Sequence, residues 1–279
     1  MAVYQADNAK WLREAIESMT EQSYTDFLFV IVADGPVPQQ ITRLLEDVAS
    51  KDDRVIIASN SHNVGLASSM NSVADFGMQF NPSFFIRMDA DDISLPKRLK
   101  IQFNFMDSHP EVGMCGTLNK GLDNNKVGVS KYPEDHDSIC CMLLFQNVFD
   151  HSTLMMSKKK LFEYRLKYDD SIKYAQDYEL ISRAARFFPL TNIQQVLVFS
   201  RTHPDQIANR YHKSQKSVTR LVQERQLNEL GINPGENYLD LHGNTVTLRL
   251  PPSKKMILDT ANWLKIIKSA NQTESIMLN

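Results

Sequence analysis

The first 120 residues alternate between helical and strand-like hydrophobic spacing, which predicts an α/β domain. A helix is predicted behind an N-cap at Asp7 or Asn8, with its apolar face formed by Trp11, Leu12, Ala15, Ile16 and Met19. Residues 27–33 then form a continuous apolar run, as expected for a strand that is buried on both faces. That strand ends at the turn signal Asp34-Gly35-Pro36.

The same alternation continues and indicates a mostly parallel central sheet flanked by helices. The further elements predicted here are helices at 41–48, 66–80 and after Pro96, and strands at 55–58, 84–88 and 112–116. In such sheets ligands bind where the carboxyl ends of the strands emerge. Because Asp34 and the run Asp89–Asp92 both follow predicted strands, that edge is the first candidate site.

The second half is less regular and predicts a helical C-terminal extension. The predicted elements are strands at 150–156 and 196–199 and helices at 176–188, 217–230 and 254–270, with Gly231 as a C-cap. We therefore expect one domain over 1–205 and a helical extension over 206–279. Within the domain, we expect two parts, residues 1–118 and residues 119–205.

Composition narrows the class of protein. The 279 residues are 42% hydrophobic and 23% charged, as in ordinary globular proteins. The formal net charge is −2 and no nucleic-acid-reading motif is present, so nucleic acid is not an expected partner. Cys115, Cys140 and Cys141 form no C-x-x-C pair and are interpreted as reduced core thiols. With no signal peptide and no apolar run longer than 27–33, we expect a cytoplasmic protein that does not span a membrane.

The strongest chemical signal is the acidic run Asp89-Ala90-Asp91-Asp92 at a predicted strand end. Adjacent carboxylates repel one another, and a divalent cation reverses that balance. Mg²⁺ and Mn²⁺ prefer oxygen ligands and are held by one or two carboxylates together with substrate phosphates. A solvated acidic turn before the helix at Pro96 explains the run equally well, so the motif alone leaves both interpretations open.

Two weaker signals accompany it on the nucleotide side. Asp34 can accept a hydrogen bond from a nucleotide base or a ribose, although a plain turn residue is the commoner explanation. Gly65 lies at a predicted helix start, between Asn63 and Asn71, where a glycine permits close approach of backbone N–H groups to an anion or a nucleotide. No G-x-G-x-x-G or Walker A sequence is present.

Two signals fall in the second half. Asp177 precedes a predicted helix and is either a general base for an acceptor hydroxyl or the N-cap of that helix. His203 follows a predicted strand and is either a third metal ligand, a phosphate contact or a structural histidine. A basic face could meet anionic lipid or could simply be solvated; it comprises Lys158, Lys159, Lys160, Arg210, Lys213, Lys216 and Arg220.

Taken in this order, the motifs resemble those of the family 2 glycosyltransferases, and most of all the amylovoran-type enzymes of capsule and exopolysaccharide synthesis. The resemblance covers roughly residues 1–210. The matching stretches are 1–4, 11–18, 32–36, 63–66 with Asn71, 87–96 with Arg98 and Gln102, 109–113, His151 and 177–180. The run from Asp89 to Pro96 is the most diagnostic.

The resemblance implies a GT-A fold and a metal-dependent, inverting hexosyltransferase that uses Mn²⁺ or Mg²⁺. It implies that Asp177 is the catalytic base, Asp91 the direct metal ligand and Asp89 a ribose or metal contact, with His203 as a further candidate ligand. The donor site would comprise Ala2, Val3, Tyr4, Asp34, Asn63, Gly65, Asn71, Asp89 and Ala90. The expected donor is a UDP-sugar. The expected acceptor is a saccharide or a lipid-linked saccharide, with peripheral contact at the inner face of the plasma membrane.

The chain departs from the family pattern in two places. The family usually has an acidic residue directly before the base, where this chain has Gln176. The family's first strand also starts earlier, whereas only Met1–Tyr4 stand here, so a shortened first strand and truncation at both ends are expectations. They motivate one alternative, a catalytically impaired nucleotide-sugar-binding protein. A sugar nucleotidyltransferase would need a Gly-rich basic phosphate loop near the N-terminus, and a glycosidase would need no nucleotide at all.

Overall fold

The computed structural model describes residues 1–122, 128–203, 211–245 and 253–274, which form two sheets surrounded by helices. The eight strands are β1 Ala2–Val3, β2 Phe29–Ala33, β3 Val55–Ser59, β4 Phe84–Ile86, β5 Ile93–Ser94, β6 Met114–Gly121, β7 Met155–Ser157 and β8 Leu190–Ser200. The first seven helices are α1 Ala9–Thr20, α2 Gln39–Ala49, α3 Leu66–Gly77, α4 Arg98–Ser108, α5 His136–Leu143, α6 Lys158–Glu163 and α7 Gln176–Ala184. Three more follow β8: α8 His212–Glu229, α9 Glu236–Thr245 and α10 Lys254–Glu274. Short 3₁₀ turns occupy Met78–Phe80 and His151–Thr153.

The first sheet, β1-β2-β3, is wholly parallel, as predicted for this half. Ala2 pairs with Val32, and Phe29 pairs with Val55. Strand β2 is buried at four of its five positions, which explains its continuous apolar sequence. The carboxyl ends of β1 and β2 therefore meet at one edge, beside Tyr4 and Asp34.

The second sheet, ordered β4-β7-β6-β8-β5, is mixed, so the expectation of a mostly parallel sheet holds only for the first sheet. Only β6 and β8 pair in parallel here; β7 runs antiparallel to both β4 and β6, and β5 runs antiparallel to β8. An apolar run identifies a buried strand but carries no information on its direction. The α/β class itself is confirmed.

Several predicted boundaries differ from the structure. Strand β2 begins two residues later than predicted, because Leu28 is 43% exposed. The helix expected after Pro96 begins at Arg98, and the one expected to reach 188 ends at Ala184. Asn8, and not Asp7, caps α1 by accepting from the backbone N–H groups of Lys10 and Trp11.

Separate apolar clusters hold the layers together. One lies between the first sheet and helices α1 and α2; its most buried members are Leu12, Ile16, Ile31 and Ile41. A second lies under β6, β7 and helices α5 and α7 and includes Met114, Ile139 and Ile181. Trp11, predicted on the core face of α1, is instead half-buried and lies against the His203 ring at 4.7 Å.

Helices α8, α9 and α10 pack on a third cluster that contains Leu144, Leu227, Leu239, Trp263 and Ile267. Among the described residues, no helix is long and apolar enough to cross a membrane. The predicted domain boundary at 205/206 and the predicted lipid contact Arg210 lie outside the described residues.

Candidate active site

Asp34, at the carboxyl end of β2, fastens the loop 60–65 to the sheet edge. Its Oδ1 accepts hydrogen bonds from Asn60 Nδ2 (3.0 Å) and Val64 N (2.8 Å), and its Oδ2 accepts one from Gly65 N (2.9 Å). Gly35 adopts φ +89°, and a methyl group on it would lie 2.7 Å from the backbone N of Asn63. The predicted donor residues Asp34, Asn63 and Gly65 therefore lie together.

Asn71, also predicted to bind the donor, is engaged elsewhere in the structure. Its Nδ2 donates to Tyr168 O (2.9 Å) and Asp170 Oδ1 (2.7 Å), and its Oδ1 accepts from Tyr168 N (3.1 Å). The amide thus ties α3 to the segment 168–170. This contact spans 97 residues of sequence, and no local pattern indicates it.

The first strand brings Ala2, Val3 and Tyr4 to the same edge. Asp34 N donates to Val3 O (2.7 Å), and Tyr4 N donates to Asp7 Oδ2 (2.9 Å). Burial is the main reason that the pKa of Asp7 rises to about 7, and nearby Asp91 and Asp89 raise it further. Sequence reasoning treated Asp7 only as a candidate cap, so its place beside the acidic turn is a new observation.

Arg87 organises the first half of the acidic turn. Only 3% exposed, it forms a short ion pair with Asp89, and its Nε donates to His151 Nε2 (3.0 Å). Burial, followed by the charge of Arg87, lowers the pKa of His151 to about 3, so the imidazole is neutral and can accept this bond. Burial alone would raise the pKa of Asp89, but Arg87 holds it below its ordinary value.

Asp91 contacts the predicted third ligand directly, since its Oδ2 lies 2.9 Å from His203 Nε2. These residues are 112 positions apart in the sequence. Strand β8 runs antiparallel to β5 and brings His203 beside the residues that precede β5. Burial and the neighbouring Asp89 raise the pKa of Asp91. The same causes, with Asp91 added, raise that of Asp92 to about 8.

Arg201 anchors the far side of the turn. Its Nε donates to Asp91 O (2.7 Å), its backbone N donates to Asp92 Oδ1 (3.2 Å), and its guanidinium forms a short ion pair with Glu14. Arg201 thus also neutralises Glu14 on α1. Four carboxylates, those of Asp7, Asp89, Asp91 and Asp92, therefore share the charge of Arg87 and only part of the charge of Arg201. Such crowding creates a site of negative potential that a cation would relieve.

The predicted metal ligands are therefore close together but are not arranged around one point. Within the described ranges, no group of three or more His, Cys, Asp or Glu side chains is placed to hold a metal ion. Asp91 and His203 do offer one carboxylate oxygen and one imidazole nitrogen at a shared position. Since Mg²⁺ and Mn²⁺ sites commonly take the rest of their ligands from substrate phosphates and water, the donor set fits such an ion.

The predicted base, Asp177, lies at the start of α7 but is not its N-cap. The cap position is Ala175, which adopts the left-handed φ of 53° and offers no side-chain acceptor. A non-glycine residue in this region is strained by roughly 1–2 kcal/mol, and such strain clusters at functional sites. Burial raises the pKa of Asp177, and the backbone N–H of Tyr178 partly opposes the rise.

Asn147 holds the Asp177 carboxylate in one orientation. Its Nδ2 donates to Asp177 Oδ2 (2.8 Å), while its Oδ1 accepts from Phe149 N (3.1 Å). The second bond fixes which end of the amide faces the carboxylate.

Asp150 lies on the same segment and was also missed by the sequence analysis. Its Oδ1 accepts from Tyr132 Oη (3.0 Å), and its Oδ2 is buried without a hydrogen-bond partner among the described residues. Burial raises the pKa of Asp150 to about 6, and the charge of Asp177 adds to the rise. The residues 147–151 form no periodic pattern, and only the singled-out His151 pointed to this segment.

Comparison with known proteins identifies the family. The model described as "Glycosyl transferase family 2" matches residues 1–166. The amylovoran biosynthesis glycosyltransferase AmsE of Erwinia amylovora is 28% identical, with 92% of this chain and 94% of AmsE covered. The O-antigen biosynthesis glycosyltransferase WbnJ of Escherichia coli is 31% identical over 73% of this chain and 78% of WbnJ.

Solved structures confirm the GT-A-like fold. The chain aligns with S. aureus TarS 1–349 in complex with UDP-GlcNAc at a TM-score of 0.65 and 16% identity, over 96% of this chain and 80% of that one. It spans 48% of a longer TarS chain. The mannosyltransferase PcManGT of Pyrobaculum calidifontis, in complex with GDP-Man and Mn²⁺, aligns at a TM-score of 0.56 and 12% identity, over 99% and 82%.

Proposed function

The chain belongs to glycosyl transferase family 2, and on that premise we propose that it is an inverting, metal-dependent hexosyltransferase. It transfers a sugar from a nucleotide diphosphate donor, with UDP as the first nucleotide to test. The acceptor is a hydroxyl of a saccharide or a lipid-linked saccharide in surface polysaccharide synthesis. The proposal rests on two features that occur together. One is an acidic turn that attracts a cation, and the other is a separate carboxylate, Asp177, which a neutral hydrogen-bond donor holds in place.

The acidic turn and Asp177 have separate chemical roles in this proposal. An inverting displacement needs a base on the face of the sugar opposite the leaving diphosphate. The acceptor O–H gives its proton to Asp177 as its oxygen attacks the anomeric carbon, and the bond from that carbon to the diphosphate oxygen breaks. The raised pKa of Asp177 favours this role, because a more basic carboxylate is a better proton acceptor.

The donor nucleotide would lie against the edge formed by Ala2, Val3, Tyr4 and the 60–65 loop. Asp34 already accepts three hydrogen bonds, but two carboxylate oxygens offer about four acceptor positions. One position remains for an N–H of the base or a ribose hydroxyl. Of the predicted donor residues, Asn71 acts by ordering the segment 168–170, so its contribution is indirect.

The metal, Mn²⁺ or Mg²⁺, would be held by Asp91 and His203, with Asp89 and its neighbour Ala90 facing the ribose or the ion. When bound it neutralises charge on the departing diphosphate as a Lewis acid. Arg87 keeps Asp89 ionised in the meantime. The Mn²⁺ in the PcManGT complex supports this assignment by analogy.

We propose the same division of the chain that the sequence predicts. Residues 1–118 bind the nucleotide, 119–205 face the acceptor, and the helices after 206 support the acceptor side. A lipid-linked acceptor would bring the protein to the cytoplasmic face of the plasma membrane as a peripheral enzyme. The polysaccharide roles named for AmsE and WbnJ support this choice of acceptor.

The first experiment is titration of the protein with UDP by calorimetry, with and without Mn²⁺. We expect UDP to bind more tightly with Mn²⁺, and Asp91→Ala to abolish that increment. Asp75→Ala is the matched control, since it also removes one carboxylate, from an exposed position on α3. Turnover is then followed as UDP release from a panel of UDP-sugars.

Each outcome assigns the protein differently. Binding that is independent of Mn²⁺ and of Asp91 would contradict the metal assignment. Binding of UDP and UDP-sugars without any transfer would favour an impaired nucleotide-sugar-binding protein. Binding of GDP in place of UDP would retain the enzyme and change the donor.

A further inference from the structure

The C-terminal helix α10 is apolar on two sides, and only one of them is covered. Its inner face carries Trp263 and Ile267, which are 1% and 6% exposed and pack on the third cluster. Ala270 lies on the same side. This inner face packs α10 against α8 and α9.

Four large apolar residues of α10 contact solvent; Ile266, 42% exposed, projects opposite Ile257, and the other three lie on the outer face. Ile257, Leu258 and Leu264 are 53%, 55% and 42% exposed. Residues 257 and 264 are seven apart, so they lie two helical turns apart on one side, and Ala261 falls between them. A surface helix normally presents polar residues there, so the exposed stripe formed by Ile257, Ala261 and Leu264 indicates a contact.

Three lysines lie in line with this stripe or between it and Leu258. Lys254 lies one turn before Ile257 and Leu258, and Lys265 and Lys268 lie one turn beyond Ala261 and Leu264. Among residues 254–272 the single acidic residue is Asp259, which is rotated well away from the stripe. The outer face, defined as Ile257, Leu258, Ala261, Leu264 and these three lysines, is therefore apolar and cationic together.

We propose that the outer face of α10 docks the protein on an anionic lipid bilayer, with the helix lying in the plane of the headgroups. Apolar side chains on such a helix enter the boundary of the acyl chains, while lysine stems extend their ammonium groups to the lipid phosphates. The inference rests on the proposed function, because a lipid-linked acceptor is what makes a membrane surface useful to this enzyme.

A second copy of the chain fits this face less well. A twofold contact would apply the same face to itself and would bring two rows of lysines together. Like charges across an interface oppose association. A bilayer rich in acidic headgroups supplies the opposite charge along the whole face.

The basic segment Lys158–Lys160, predicted as a lipid contact, is a poorer candidate. Ser157 pairs with Phe84 at the start of β4, whereas the acidic turn follows the end of that strand. Docking through α6 would thus place the membrane at the wrong end of β4. In addition, Lys158 Nζ already donates to Asn81 Oδ1 (2.7 Å). Arg220, another predicted lipid contact, is paired with Glu236 and Asp240.

Helix α10 is also linked to the segment that holds the proposed base. Trp263 Nε1 donates to His242 Nδ1 (3.0 Å), and His242 Nε2 donates to Leu144 O (2.8 Å). Leu144 lies three residues before Asn147, which contacts Asp177. A bilayer bound to the outer face would therefore lie next to a helix that these hydrogen bonds connect to the segment around Asn147.

The test is sedimentation with vesicles of 70% phosphatidylcholine and 30% phosphatidylglycerol at low salt, against vesicles of phosphatidylcholine alone. We expect binding to the anionic vesicles only, and loss of binding in 0.5 M salt through screening. The triple variant Lys254→Gln/Lys265→Gln/Lys268→Gln should bind about a hundredfold more weakly, since each lysine near such a surface contributes roughly fivefold. Ile257→Gln/Leu264→Gln tests the apolar contribution and should also bind more weakly.

Matched variants separate this face from its rivals. Lys159→Gln/Lys160→Gln/Lys167→Gln removes the same charge from the α6 side and should bind as wild type; loss of binding there alone would overturn the proposal. A dimer that Ile257→Gln/Leu264→Gln dissociates, with no vesicle binding, would reassign the face to self-association. UDP titration of each variant keeps the two proposals apart: UDP binding without vesicle binding refutes only the docking surface, and the reverse refutes only the donor assignment.

Discussion

Two clusters of partly buried carboxylates in the described residues are stabilised in different ways. Around Asp91, four acidic side chains share Arg87 and part of the charge of Arg201. Around Asp177, Asp150 included, the hydrogen-bond donors are neutral: Asn147 and Tyr132. The first cluster is organised by charge and attracts a cation, whereas the second is organised by hydrogen bonds and keeps a carboxylate basic.

The difference matters because the two jobs need different electrostatics. A metal ligand must be ionised when the ion binds. Arg87 lowers the pKa of Asp89, whereas burial and the charge of Asp89 raise the pKa of Asp91, so the ionised form of Asp91 depends on the cation itself. A general base works best when its pKa approaches the working pH, and a cationic partner would prevent that. Neutral amide and phenol donors can position Asp177 and Asp150 without pulling their pKa values far down.

The largest effect is expected from Asp177→Asn, which removes the base and keeps the size of the side chain. General-base catalysis contributes roughly a hundredfold to ten-thousandfold, so UDP release from the active donor should fall by that factor. Binding of UDP with Mn²⁺ should be unchanged, because the proposed nucleotide site lies at the other cluster. A variant with normal turnover would show that Asp177 is not the base.

Arg87→Met tests the charge-based cluster. It would leave Asp89 partly buried beside Asp91 and Asp92 without its nearest cation, and removing one partner of a buried pair commonly destabilises a protein by about 3–5 kcal/mol. Since Asp89 is 36% exposed, we expect the lower end, about 3 kcal/mol, in urea unfolding. Mn²⁺ should restore part of this loss. Arg186→Met is the control at an exposed pair, with an expected loss below about 1 kcal/mol.

Asn147→Leu tests, through a pH profile, the cluster around Asp177, which is called the neutral cluster because its hydrogen-bond donors are uncharged. A hydrogen bond to the ionised carboxylate lowers its pKa, so removing the bond from Asn147 should raise the already raised pKa of Asp177 further. The base is active when ionised, and activity falls as pH drops through that pKa. The acid limb of kcat should therefore move toward higher pH. A fall in kcat with no shift of the limb would indicate that Asn147 only supports the fold.

The sequence predicted the charge-based cluster far better than the neutral one, for a physical reason. Asp89 and Asp91 are two residues apart in the chain and follow an apolar strand, so their chemistry is visible locally. His203 could be singled out only as a histidine after a strand, and its contact with Asp91 depends on how β8 returns to β5. Asn147, Asp150 and Tyr132 meet through tertiary contacts, and single polar residues in irregular segments carry no periodic signal.

The smallest effect is expected from Trp263→Phe, which asks whether the helical layer acts on the neutral cluster alone. The variant keeps the aromatic ring but removes the Nε1 donor, so the buried Nδ1 of His242 loses its partner and stability should fall by about 1–2 kcal/mol. Because His242 also donates to Leu144 O, the loosened segment should lower turnover by a small factor, about two to three, given that roughly 0.5 kcal/mol of coupling is reasonable for such a chain. UDP and Mn²⁺ binding should not change, since the hydrogen bonds from Trp263 to His242 and from His242 to Leu144 involve no residue of the acidic turn. Equal losses in metal-dependent UDP binding and in turnover would mean that the two clusters respond to the helical layer as one unit, and the contrast between them would fail.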